Sequence, residues 1–183
     1  MKKLSRIFLF FAISGIIFGA QELYAAYGDA MFRYDKAVKY LKMRKPDFAL
    51  MEFRGITREF PDSLFAPKAT FAIAEYCYDH RMYYDAVANF CSYIKKYPNS
   101  KAGVFARAYL LKIMEDINTP SQEEKAFFED VNKNFFPKQP FVIFKEYKRP
   151  SYKSFSLNRF RLKYHADSIE IYRNGALFLK LTP

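Results

Sequence analysis

Ala49, Phe53 and Ile56 recur at three- and four-residue spacing, and so do Ala86, Phe90 and Tyr93. That period places each set on one face of a helix. The two sets are 37 residues apart, and the offset extends well beyond them. Ala37 matches Ala74, Pro61 matches Pro98, Ser63 matches Ser100 and Ala69 matches Ala106. A repeat of this length built from such faces is a pair of antiparallel helices. Pro61 and Pro98 end a helix, because the residue before a proline avoids helical geometry. Ser63 and Ser100 stand where the next helix needs a cap. The pattern predicts helices over 27–43, 46–60, 64–79, 82–97, 101–116 and 122–135. Ser121 and Glu124 form a capping box at the start of the last, whose apolar face reads Phe127, Val131 and Phe135. That helix keeps the 37-residue spacing poorly, as expected of a terminal unit that caps a stack.

From Pro137 the period changes. Phe141-Val142-Ile143-Phe144 reads as a strand between prolines. Phe160, Leu162 and Tyr164 alternate with Arg159, Arg161 and Lys163, the pattern of a half-buried strand. Residues 168–172 and 176–181 flank Asn174-Gly175, a strong short hairpin signal because both positions tolerate the left-handed turn. The expected architecture is mainly α, an antiparallel helix-pair solenoid of about three repeats, with a small C-terminal antiparallel β meander. The helices occupy 26–136 and the meander lies within 137–183.

The small-residue, aromatic and proline pattern of these pairs resembles tetratricopeptide repeats. The helix ends Phe60-Pro61-Asp62-Ser63 and Tyr97-Pro98-Asn99-Ser100 are similar to those in repeats of bacterial envelope proteins of the BamD and YbgF kind. In such arrays the first helix of each pair lines a concave surface. The resemblance therefore implies a partner-binding stripe of Tyr34, Phe71, Tyr78 and Phe105, with Lys68, Glu75 and Lys112 beside it. Lys68, Phe71, Glu75 and Tyr78 have the spacing of one helical face. An aromatic face with charges suits an extended peptide or a partner helix. The alternative is that these aromatics pack against the next helix.

The first 25 residues read as a secretory leader. Lys2, Lys3 and Arg6 precede the uncharged run Ile7–Ala20, and small residues follow at Ala25-Ala26. The run is shorter than the roughly 20 residues of a membrane span. Cleavage after Ala25 gives a periplasmic or outer-membrane-associated protein, and an uncleaved leader gives an inner-membrane anchor. BamD-like proteins carry a lipid-bearing cysteine at this boundary. Here the two cysteines are Cys77 and Cys91, so that anchor is not expected.

Composition sharpens the functional expectation. The chain has 183 residues, 20% of them aromatic with no Trp, and a net charge of +11. Residues 137–183 hold 10 Lys and Arg against 3 Asp and Glu, so the tail is the basic part. In an exported chain the available anions are acidic partner surfaces, lipid headgroups and lipopolysaccharide. Arg159, Arg161 and Lys163 are the candidate contacts, on a strand that equally reads as an edge protected by charge. Nucleic acid is disfavoured by export. An antiparallel pairing that sets Cys77 against residues 84–85 puts Cys91 roughly 9 Å further along its helix, beyond disulfide reach. Two unpaired thiols are expected, with an intermolecular bridge through Cys91 as the alternative. His80 and His165 are isolated, Glu115 and Asp116 point apart on a helix, and no phosphate-binding, zinc or serine-nucleophile motif occurs. No catalytic residue, metal or cofactor is expected. The reading is a non-catalytic scaffold of the bacterial envelope, with outer-membrane or envelope assembly as the expected setting, that docks a protein segment on the repeat groove. The alternative is a basic tail that binds an anionic surface or nucleic acid.

Overall fold

The computed structural model describes residues 27–117, 120–147 and 160–183. The leader, with its cleavage point, and Arg159 lie outside the described residues. The protein is mainly helical, with adjacent helices packed in pairs and a three-stranded antiparallel sheet at the C-terminus. It divides into two compact units, 1–69 and 70–183, and the division falls inside a helix. The boundary expected at 136/137 lies within the second unit.

In the first unit, α1 covers 27–42 and α2 covers Pro46–Glu59. Ala30 and Ala37 of α1 are buried, as are Ala49, Phe53 and Ile56 of α2, so the period read from the sequence does mark the inner face. Tyr34 packs its ring on Phe53 and Phe65, with centroids 6.0 and 5.2 Å away. Arg33 reaches Glu52 and Glu59 by crossing α2 at Gly55, where an added Cβ would stand 2.7 Å from its guanidinium. A residue without a side chain is what allows that crossing. The helix ends before Pro61, with Phe60 as its C-cap. The next helix, α3 (Ala66–Asp79), starts where the Ser63 hydroxyl accepts a bond from the Ala66 N–H at 3.2 Å.

The second unit holds most of α3, then α4 (Tyr83–Lys96), α5 (Gly103–Asp116), α6 (Gln122–Phe135), α7 (Pro140–Glu146) and the sheet. Their boundaries lie within two residues of the sequence expectation for every predicted helix. α5 is buried almost all round, with Val104, Ala106, Ala108, Tyr109, Leu110 and Ile113 inaccessible to solvent. Phe71, Phe90, Tyr93 and Tyr109 form the aromatic centre, the Phe90 and Tyr109 rings stacking at 4.5 Å. One apolar core runs from there through α6 and α7 into the sheet. The Ser121–Glu124 capping box forms as expected, through reciprocal bonds of 3.2 and 2.7 Å.

Several expectations need correction. Phe141–Phe144 belongs to a helix, α7, rather than a strand. Pro140 sits in its first turn, where the fixed φ favours helix, and a four-residue apolar run carries no period that separates the two states. Only Ile143 and Phe144 of that run are buried. On α6 the buried face is Phe128, Val131 and Phe135, while Phe127 is half-buried against Tyr84. Ser100 accepts from the Ala102 N–H, but the N-cap of α5 is Ala102 itself. Cys77 lies against Asn89, its Sγ 3.9 Å from the amide, further along α4 than residues 84–85. Neither cysteine is in a disulfide among the described residues.

The sheet order is β1 (Phe160–Tyr164), β2 (Ile169–Arg173), β3 (Ala176–Leu181). The β2–β3 turn has φ of +53° at Asn174 and +87° at Gly175, the conformation that Asn-Gly supplies cheaply. Ile171 pairs with Leu179 and Tyr172 with Leu177, so Phe178 is an extra residue in β3. This bulge turns its ring toward the helices. Arg44 and Arg81, also 37 apart, end α1 and α3 with φ of +56° and +58°.

Replacing the fully buried Phe90 by Ala should cost about 3–5 kcal/mol by urea unfolding, while Leu64→Ala, 74% exposed, should stay within about 0.5 kcal/mol. Burial pushes the Cys91 thiol up to about 11, so little of it is thiolate at neutral pH. Thiol labelling of the native chain at pH 8 should run at least about tenfold slower than on free cysteine and reach two thiols only on unfolding.

Candidate partner-binding face

Of the seven residues expected to line a partner groove, Tyr34 and Lys68 fall in the first unit. There the Lys68 ammonium lies 5.3 Å above the Tyr34 ring and 5.5 Å from that of Phe65, a cation–π cluster near the start of α3. The other five, Phe71, Glu75, Tyr78, Phe105 and Lys112, belong to the second unit and stand on α3 and α5.

Within that unit they are joined into one network. Phe71 and Phe105 are buried at 1% and 3% exposure. Glu75 is a carboxylate with only 3% of its surface exposed, which demands partners. The Tyr109 hydroxyl donates to it at 2.8 Å. One turn further on, the Tyr78 hydroxyl donates to Asp116 at 2.8 Å, and Lys112 approaches the other oxygen of Asp116 at 2.9 Å. Burial, then the adjacent carboxylate, pushes each phenol upward, so both tyrosines remain protonated donors at any ordinary pH.

The occupant of this face is the chain's own tail. Arg173, at the end of β2, grips Asp79 with both terminal nitrogens at 2.7 and 2.8 Å and comes within 4.0 Å of Glu75. Its guanidinium lies over the rings of Tyr109 and Tyr78, at 5.4 and 5.8 Å. Burial opposes its charge, but the bonds from Asp79 and the nearby Glu75 outweigh that and raise its pKa. Nε of Arg173 is buried without a partner among the described residues. Phe178 packs edge-on against Tyr78 and Tyr109, at 5.9 and 5.0 Å. Phe160 stacks on Phe105 at 4.7 Å. The stripe residues of this unit therefore both pack on neighbouring helices and receive a β-hairpin in cis. Sequence reading missed Asp79, Tyr109 and Arg173, the residues that complete the network.

Arg161 and Lys163, the described candidates of the basic tail, are exposed on the opposite side of the sheet. Register places Arg161, Tyr172 and Leu177 in one cross-strand row and Lys163, Glu170 and Lys180 in the next. Lys163 stands 4.5 Å over the Tyr172 ring. The Tyr172 hydroxyl and then His165 hold the Glu170 carboxyl below its usual range. His80 stacks on Tyr76 at 3.9 Å. No group of three metal-ligating side chains occurs among the described residues.

No known protein family matches this chain, and no curated protein does.

Arg173→Ala should destabilise the protein by about 2–3 kcal/mol in urea unfolding, because it removes the fork to Asp79 and a cation beside the buried Glu75 carboxylate. Arg173→Lys keeps the charge but loses the fork and should cost about 1 kcal/mol.

Proposed function

We propose that this chain is a non-catalytic protein-binding scaffold of the bacterial cell envelope, exported by its leader, that docks a partner segment on helix-pair faces. The observation that carries the reading is the cis complex of the second unit. A face made of Tyr78, Asp79, Phe105 and Tyr109, with Glu75 beside them, holds the β-sheet by aromatic packing and one arginine fork. That is a recognition mode for extended polypeptide, with apolar contacts for affinity and the ion pair for register. In the first unit, Tyr34 and Lys68 present an aromatic ring with a cation over it. The three-part leader supports export, and the helix-pair repeat supports the envelope-scaffold resemblance. The mechanism needs no cofactor.

A second reading draws on the outer face of the sheet. Arg161, Lys163 and Lys180 oppose a single carboxylate there, and that carboxylate is already engaged by Tyr172. Such a face suits an anionic surface.

Photo-crosslinking in intact cells separates the readings, with the probe at Tyr34 in one variant and at Arg161 in another. Recovery of envelope proteins from position 34 is the expected result. Recovery of cytosolic ribonucleoprotein alone, from either position, would overturn the exported-scaffold reading.

A further inference from the structure

Residues 36–46 hold five cations and no acid. They form the end of α1 and the turn into α2. Lys36 is engaged, its ammonium 2.7 Å from Glu52. Lys39, Lys42, Arg44 and Lys45 are all exposed, and none forms an ion pair with a described residue. Among them stand Met43 and Phe48, 49% and 52% exposed. The Phe48 ring rests on Tyr40 at 5.4 Å, and the Lys45 ammonium lies 5.9 Å from it, so exposed cations and exposed apolar side chains share the α1–α2 turn.

Folding does not account for this combination. Lys39 and Lys42 sit favourably at the C-terminal end of α1, but Arg44 and Lys45 also precede the first turn of α2, where a cation is unfavourable. Arg44 holds a left-handed φ of +56°, a position that glycine would fill without strain. The stripe also continues along α1. Phe32, 68% exposed, then Lys36, Lys39 and Met43 follow at four-, three- and four-residue intervals on one outer face.

We infer that the α1–α2 tip is a docking surface for an anionic phospholipid bilayer. The four cations meet headgroup phosphates, while Met43 and Phe48 enter the boundary between headgroups and acyl chains. Charge complementarity selects an anionic partner. The exposed apolar pair interleaved with the cations selects a bilayer over an acidic protein or a nucleic acid, since only the bilayer offers phosphate and hydrocarbon at adjacent depths. This surface lies on the first unit, differs from the basic sheet face, and does not depend on the scaffold reading.

The chain contains no tryptophan, so Phe48→Trp in the full chain places a single indole at the tip, excited selectively at the red edge where tyrosine does not absorb. Its emission should shift to the blue on vesicles of phosphatidylglycerol and phosphatidylcholine, and brominated acyl chains should quench it. Vesicles of phosphatidylcholine alone should leave it unshifted. Adding Lys39→Gln, Lys42→Gln, Arg44→Gln and Lys45→Gln should abolish the shift, with apparent affinity falling about fivefold per cation removed. Arg161→Gln with Lys163→Gln should leave it intact. Circular dichroism confirms that each variant is folded. The inference is overturned by a water-like emission from position 48 while the chain sediments with vesicles. It is equally overturned by an undiminished shift in the four-glutamine variant, or by the same shift with soluble polyglutamate or DNA.

Discussion

Glu75 sets the terms for the second unit. A carboxylate with almost no exposed surface is costly unless hydrogen-bonded and faced by a cation. Tyr109 supplies the bond from α5, and Arg173 supplies the charge from a strand 98 residues further along the chain. Each of those answers imposes its own conditions. Tyr109 must be buried among Phe71, Phe90, Phe160 and Phe178, and Arg173 must be held at the end of β2 by the hairpin turn that follows it. The aromatic centre, the bulge at Phe178 and the left-handed pair Asn174-Gly175 are parts of one solution to one buried acid.

That solution changes how the aromatic stripe is understood. In an open helix-pair array such residues wait for a ligand. Here Phe71, Glu75 and Phe105 are buried within the fold, with Phe160 of β1 stacked on Phe105 and Arg173 of β2 beside Glu75. What is left facing solvent has different chemistry. It includes the cationic and apolar tip between α1 and α2 and the outer rows of the sheet, both reading as contacts for anions.

The helices were legible because their signals are local. Alanine and aromatic spacing within 15 residues, then a proline just past the helix and a serine after it, mark α2 and α4 with no reference to anything distant. The capping box and the Asn-Gly turn are likewise short-range chemistry. The errors arise where the deciding partner is far away or where the local pattern is degenerate. Phe141–Phe144 is too short to show a period, and its burial is decided by the surrounding core. The choice of Phe128 over Phe127 as the inward residue is a rotation of one position that tertiary packing settles. Arg173 gave no local sign of its role, since nothing near it in the chain resembles Asp79 or Glu75. The two arginines in left-handed turns did carry a signal, their 37-residue spacing, but arginine is not the residue that such a turn announces.

The separation between Asp79 and Arg173 also bears on the order in which the protein is completed. A chain made from its N-terminus can form α3, α4 and α5 from short-range contacts while the rest is still being synthesised. Glu75 cannot be covered until Arg173 and the turn after it have emerged, 98 residues later in the chain. Up to that moment the aromatic face is open and sticky, and afterwards it is closed. The β2–β3 hairpin is therefore the point of closure of this unit, and its loss would leave α3, α4 and α5 around a less covered acid.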